Sequence, residues 1–151
     1  MAKRATKSTL HAWNALLGTW ATTGTTLPGR GEKAMTISGT DRYERVLGGA
    51  FILHTAQVCM GRKKVDVMEV ISYDAATGTY PMHAFDNNGN ITTMATHVVS
   101  KRVLHLVGSG MRAELVVATT GKTMEARWER CDDGWTWVPW MTMKFVREVK
   151  R

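Results

Sequence analysis

At 151 residues the chain has the length of one domain, long enough to bury roughly 70 % of the surface its unfolded form exposes. A content of 44 % hydrophobic and 22 % charged residues excludes a disordered chain, and no run approaches the ~20 apolar residues that span a bilayer. The net charge of +7 is split, with +3 from Lys3, Arg4 and Lys7 and +3 from Lys144, Arg147, Glu148, Lys150 and Arg151. A basic excess gathered at two ends reads as solvated tails, so no nucleic-acid partner is expected.

Residues 1–7 read as a flexible basic tail, followed by a single domain over 8–151. Ser8 or Thr9 caps a short helix over about 9–17, with Leu10, Trp13, Leu16 and Leu17 on one face. Because His11 and Asn14 interrupt Leu10–Leu17, the segment lacks the apolar core of a secretory leader. A cytoplasmic, non-membrane protein is therefore expected. Gly18 stops the helix, and Thr19–Thr26 is rich in β-formers. Leu27-Pro28-Gly29-Arg30-Gly31 is a loop by composition.

Strands and turns then alternate to the end of the chain. Met35–Leu47 reads as one strand bent at Gly39, and Gly48-Gly49 is a two-residue turn into Ala50–Met60. Lys64–Tyr73 leads to the turn Asp74–Gly78, and Thr79–Phe85 to Asp86-Asn87-Asn88-Gly89. Asn90–Val99, Arg102–Val107 and Met111–Thr119 follow, then Thr123–Cys131 beyond Gly121. Asp132-Asp133-Gly134 turns the chain into Trp135–Val149. About ten strands joined by short turns make an antiparallel meander, and a meander of that length curls and closes. The fold class is thus all-β: a closed antiparallel up-and-down β-barrel of about ten strands with a short N-terminal helix. β-Bulges are expected near Gly39 and Gly121.

Several pieces of this series have a familiar arrangement. They are Leu17-Gly18-Thr19-Trp20; Ile37-Ser38-Gly39-Thr40 with Leu47-Gly48-Gly49; Ile71-Ser72-Tyr73-Asp74 with Gly78 and Tyr80; and Asp133-Gly134-Trp135-Thr136-Trp137 leading to Met141-Thr142-Met143-Lys144-Phe145. In that order they resemble the calycin superfamily, in particular an uncharacterised bacterial domain family near nitrobindin-like and lipocalin/fatty-acid-binding-protein-like barrels. The resemblance implies that Trp20 packs at the closed end of the barrel beneath a basic side chain of the last strand, for which Arg147 is the candidate. Nitrobindin-like barrels hold haem through a histidine on the final strand. Met141–Val149 contains none, with Met143 the nearest soft ligand, so haem is disfavoured and the cofactor is left unknown.

Strand alternation proposes the lumen lining. Met141, Met143, Phe145 and Arg147 form the more apolar set of the last strand, and Ile52, Ala56 and Val58 carry His54 inward with them. Val65, Val67, Ile71 and Tyr73 carry Glu69; Thr79, Pro81, His83 and Phe85 share another face. A buried carboxylate or imidazole is costly unless partnered, so inward-facing Glu69 and His54 should bond to one another, to water or to a guest. His54, Glu69, Tyr73, His83, Met141, Met143 and Phe145 are accordingly the candidate ligand-binding residues, with Trp20 and Arg147 at the base. Ten methionines spread over nearly every strand would line a cavity softly or fill a core. Cys59 and Cys131, without a CxxC pattern, read as buried free thiols.

No nucleophile motif, phosphate loop or metal-ligand cluster occurs. Three readings follow. The first is non-catalytic binding of a small, largely apolar molecule in the cavity. The second is a cavity enzyme using His54 and Glu69 as acid and base. The third is a packed barrel that serves as an interaction module, forming a homodimer through its tryptophan-rich end, at Trp135, Trp137 and Trp140, or through an outer sheet face.

Overall fold

The structure, a computed structural model, describes residues 9–29 and 32–149. The basic tail expected over 1–7 lies outside them, as do Ser8, Arg30, Gly31, Lys150 and Arg151. Ten strands form: β1 (Gly18–Thr26), β2 (Thr36–Val46), β3 (Phe51–Met60), β4 (Lys63–Ile71), β5 (Tyr80–Asp86), β6 (Ile91–Ser100), β7 (Val103–Gly108), β8 (Met111–Val117), β9 (Thr123–Arg130) and β10 (Val138–Arg147). Each pairs antiparallel with the next, and β10 returns to β1 to close an up-and-down barrel. Closure pairs the edges that an open sheet would expose. Among the described residues no helix is long and apolar enough to cross a membrane.

The N-terminal helix is a 3-10 helix over His11–Leu16, shorter and tighter than the stretch expected over 9–17. The spacing explains it. Leu10, Trp13 and Leu16 recur every third residue, which lines them up on one face of a helix with three residues per turn. All three are fully buried, so the helix acts as a plug at one end of the barrel.

Several turns differ in detail from expectation. The β2–β3 connection runs over Leu47–Ala50, with Leu47, Gly48 and Gly49 all at positive φ, rather than as a two-residue turn. The last strand starts at Val138, because Asp133 accepts the backbone N–H groups of Trp135 and Thr136 and holds that segment as a turn. These two donors, Thr136 first, hold the Asp133 carboxyl down to about 2. Irregular register falls between Val98 and Ser100 and between Pro139 and Met141, not at Gly39 or Gly121. Gly121 lies in the β8–β9 turn, and Gly39 sits in continuous register between Thr22 and Val58.

Gly39 is needed for a different reason. It lies at φ +156°, and a Cβ there would meet Gln57 O at 2.1 Å and Val58 Cα at 2.6 Å. Both atoms are backbone, so β2 and β3 would have to separate. Gly39→Ala is expected to cost more than about 2 kcal/mol, read as a lowered urea midpoint.

Candidate functional site

The barrel interior holds a partly open cavity of about 240 Å³. Its two walls differ. The side built from β5 to β10 is apolar, with Met82, Met94, Leu106, Leu115, Met143 and Phe145 among its lining. The side built from β1 to β4 carries a chain of polar side chains that runs across four adjacent strands. Thr22 Oγ1 donates to Asp41 Oδ1. Asp41 Oδ2 lies 2.7 Å from His54 Nε2, and His54 Nδ1 lies 3.0 Å from Glu69 Oε1.

The register makes this chain. Tyr43 is directly opposite His54, and His54 directly opposite Glu69, while Asp41 sits one inward position along β2 from Tyr43. The same alternation that points Ile37 and Tyr43 inward therefore points Asp41 at the imidazole. Tyr43 stacks on the ring with 4.1 Å between centroids and 1° between planes. Thr22, Asp41 and Glu69 are all buried.

Burial alone would lower the His54 pKa, but hydrogen bonds to Asp41 and Glu69, and their charges, outweigh it and raise the imidazole to about 9. Proton uptake by the cluster is thus favoured at neutral pH, with the ring clamped between Asp41 and Glu69. Burial first, then the charges of Asp41 and Glu69, push the Tyr43 phenol well above its ordinary value, so it stays neutral. The two carboxylates approach opposite edges of one ring, so the three groups do not converge on a common point as metal ligands must. Among the described residues no group of three such side chains could hold a metal ion.

A family model described as "Protein of unknown function (DUF1579)" matches residues 6–147. The chain belongs to the DUF1579 family. No curated protein matches it. Its barrel is similar to the crystal structure of Rv2717c from M. tuberculosis, with a TM-score of 0.70 at 13 % identity over 93 % of this chain and 98 % of that one. It is also similar to the S-type phycobiliprotein lyase CPES from Guillardia theta, with a TM-score of 0.60 at 9 % identity over 93 % of each chain. At such identities the likeness is one of fold, and it accords with a calycin-like barrel.

Of the residues expected at the lumen, His54, Glu69, Met141, Met143 and Phe145 line the cavity. Met60, Met82 and Met94 add to its methionine lining. Two expected residues do not belong there. His83 faces solvent, because Tyr80, Met82 and Ala84 are the inward set of β5 and Pro81, His83 and Phe85 the outward one. Both sets contain an aromatic residue, so apolarity alone does not separate them; pairing of Ala84 with Glu69 does. Tyr73 lies beyond the end of β4 and packs against Tyr80 at 5.3 Å near the plug, outside the cavity lining. Tyr80 in turn donates its hydroxyl to Thr9 O at 2.6 Å.

Sequence reading missed Thr22, Asp41 and Tyr43. The available signal was the inward set of β2, in which Asp41 falls between Ile37 and Tyr43. The thiols are another correction: both are free, but Cys59 is exposed on the outward face of β3 and Cys131 is half-buried. At the tryptophan-rich end only Trp135 stands fully in solvent. Trp137 lies beneath Arg112 at 4.1 Å, and Trp140 packs edge-on to Trp128.

At the plugged end the Arg147 guanidinium lies 4.2 Å above the Trp20 ring. Its three nitrogens donate to Ala15 O, Leu17 O and Gly121 O, and Trp20 Nε1 donates to Leu16 O at 2.8 Å. Ala15 O, Leu16 O and Leu17 O are carbonyls that the helix end leaves without partners. One side chain therefore ties the plug to the last strand and to the β8–β9 turn. Arg147→Ala is expected to destabilise the barrel by about 2–4 kcal/mol, since charge-assisted hydrogen bonds contribute roughly 1.5–3 kcal/mol each and are not additive. Hydrogen exchange should speed up first at residues 10–17. Unchanged exchange there would show that the plug is held by its apolar face alone.

Proposed function

We propose that the barrel binds a small, largely apolar molecule in its lumen without transforming it, with the polar end of the guest against the Asp41–His54–Glu69 wall. The observation that carries this reading is the two-sided cavity: buried charged groups on one wall and methionine, leucine and phenylalanine on the other. Ligand sites have this composition, a mostly apolar lining with a few placed polar groups. The space equals that of roughly eight waters, which suits one ring with a short substituent. A phycobiliprotein lyase shares the fold, consistent with a barrel that serves a ligand.

Haem does not fit these residues. The lumen face of β10 offers Met141 and Met143 but no histidine, and the one histidine in the lining has both ring nitrogens against carboxylates. The same engagement argues against His54 as a general base, since a base needs a free nitrogen within reach of the proton it takes. Binding is therefore favoured over catalysis.

Native mass spectrometry of protein purified from its own host, compared with the denatured mass, tests the reading. A retained increment of small-molecule size that is lost on denaturation is expected. A bare mass under native conditions, with the same result after incubation in host extract, would overturn it.

A further inference from the structure

If the lumen is a binding site, its wall also states the charge of the guest. Each ring nitrogen of His54 lies within hydrogen-bond distance of a carboxylate oxygen, at 2.7 and 3.0 Å. Two contacts need two protons. These can both sit on the ring, leaving two carboxylates, or one can sit on a carboxyl, leaving a neutral ring and one carboxylate. Both arrangements sum to one net negative charge. Neither lysine nor arginine is among the described residues that line the cavity. The lumen thus keeps one net negative charge that no lysine or arginine among its described lining residues balances.

The unused hydrogen-bonding capacity has a sign as well. Both N–H directions of His54 are spent on Asp41 and Glu69, and Asp41 uses its second oxygen to accept from Thr22. Glu69 bonds through Oε1 and has no partner for Oε2 among the described residues, although the residue is only 7 % exposed. A carboxylate oxygen that receives no donor from the surrounding residues is open to one from a guest, best a charged one. At the plug side of the same cavity the Trp13 indole Nε1–H is buried without an acceptor, a donor that the aromatic face of a guest, not an ammonium, can meet. The polar end of the cavity is incomplete without a guest.

We propose that the guest is a small amphiphilic amine, whose ammonium group donates to Glu69 Oε2 while its apolar body lies against the methionine-rich wall. This rests on the lumen being the binding site. The wall that accepts an ammonium repels a carboxylate, so the barrel rejects fatty acids and aryl acids of the same size. Polarisable methionine sulfurs favour an aromatic body over a straight chain.

Three probes with one skeleton test the charge: phenethylamine, phenethyl alcohol and phenylacetate, titrated by calorimetry and by amide NMR. The amine should bind tightest, the alcohol at least about tenfold more weakly, and the acid weakest; tenfold corresponds to ~1.4 kcal/mol. Glu69→Gln should remove most of the amine's advantage while leaving alcohol affinity within about twofold, and Met143→Trp should abolish binding of all three. Loss of amine and alcohol affinity alike in Glu69→Gln would reduce Glu69 to a structural role and overturn the proposal. So would acid binding at least as tightly as amine, with lumen binding itself left standing. Failure of all three probes to shift any lumen amide, together with a bare native mass, would overturn the lumen reading and this inference together.

Discussion

Replacing His54 with leucine is expected to cost roughly 3–5 kcal/mol, the range for removing one member of a buried ion pair. The reason lies in what remains. Asp41 and Glu69 are both buried, and without the imidazole between them each loses its charge-assisted partner. Against a total stability of about 5–15 kcal/mol the barrel should still fold. His54→Gln keeps a neutral donor near the carboxylates and should cost less, which separates loss of charge from loss of packing against Tyr43.

The same cluster gives a pH dependence with a defined sign. The folded imidazole is raised from 6.5 to about 9, so its stabilisation is full below pH 6.5 and is lost as pH rises to about 9. At 1.36 kcal/mol per unit this window spans roughly 3 kcal/mol. The groups facing the ring are Asp41, Glu69 and the neutral Tyr43. Urea unfolding followed through the window should show a steady alkaline decline in wild type and none in His54→Leu. A flat wild-type profile would mean that the folded cluster binds no more protons than the unfolded chain across this window, wherever on the cluster they sit.

How far this site was legible depends on how sharply each strand sorts its two faces. β10 sorts well: Met141, Met143 and Phe145 against Thr142 and Lys144 leaves one sensible inward set, and those three line the cavity. The His54–Glu69 contact could be anticipated because each residue rides on an apolar face and each would be costly alone. β5 sorts poorly, since Tyr80, Met82 and Ala84 compete with Pro81, His83 and Phe85, and the choice is made by pairing with β4, a long-range fact. Asp41 is hidden for a related reason. On its own strand it is one polar residue in a stretch of Ser38, Thr40, Arg42 and Glu44, and nothing local marks the imidazole thirteen positions on as its partner. Glycine is an ambiguous sign of irregular register, which here falls at Val98/Ser100 and Pro139/Met141. Gly39 instead marks a close approach of backbones.

Met143→Trp should abolish binding in the lumen, by at least about a hundredfold or ~2.8 kcal/mol in affinity, while the fold persists. Met143 lines the cavity, and its cross-strand neighbours are Gly24 on β1 and Ala126 on β9. With no bulk on either side, an indole at this position can grow only into the cavity, which is space already present. Overpacking usually costs 1–3 kcal/mol because neighbours must move; here the displaced volume belongs to the guest, so the stability cost should sit at the low end of that range. The indole would also cover the approach to Glu69 from the methionine wall, removing the apolar body and the polar end of the site in one change. Calorimetric titration beside a urea melt reads both effects. Unchanged affinity with an unchanged melt would place the guest elsewhere, whereas lost affinity with a collapsed melt would show that the barrel wall cannot take the indole and that the vacant space is smaller than its lining suggests.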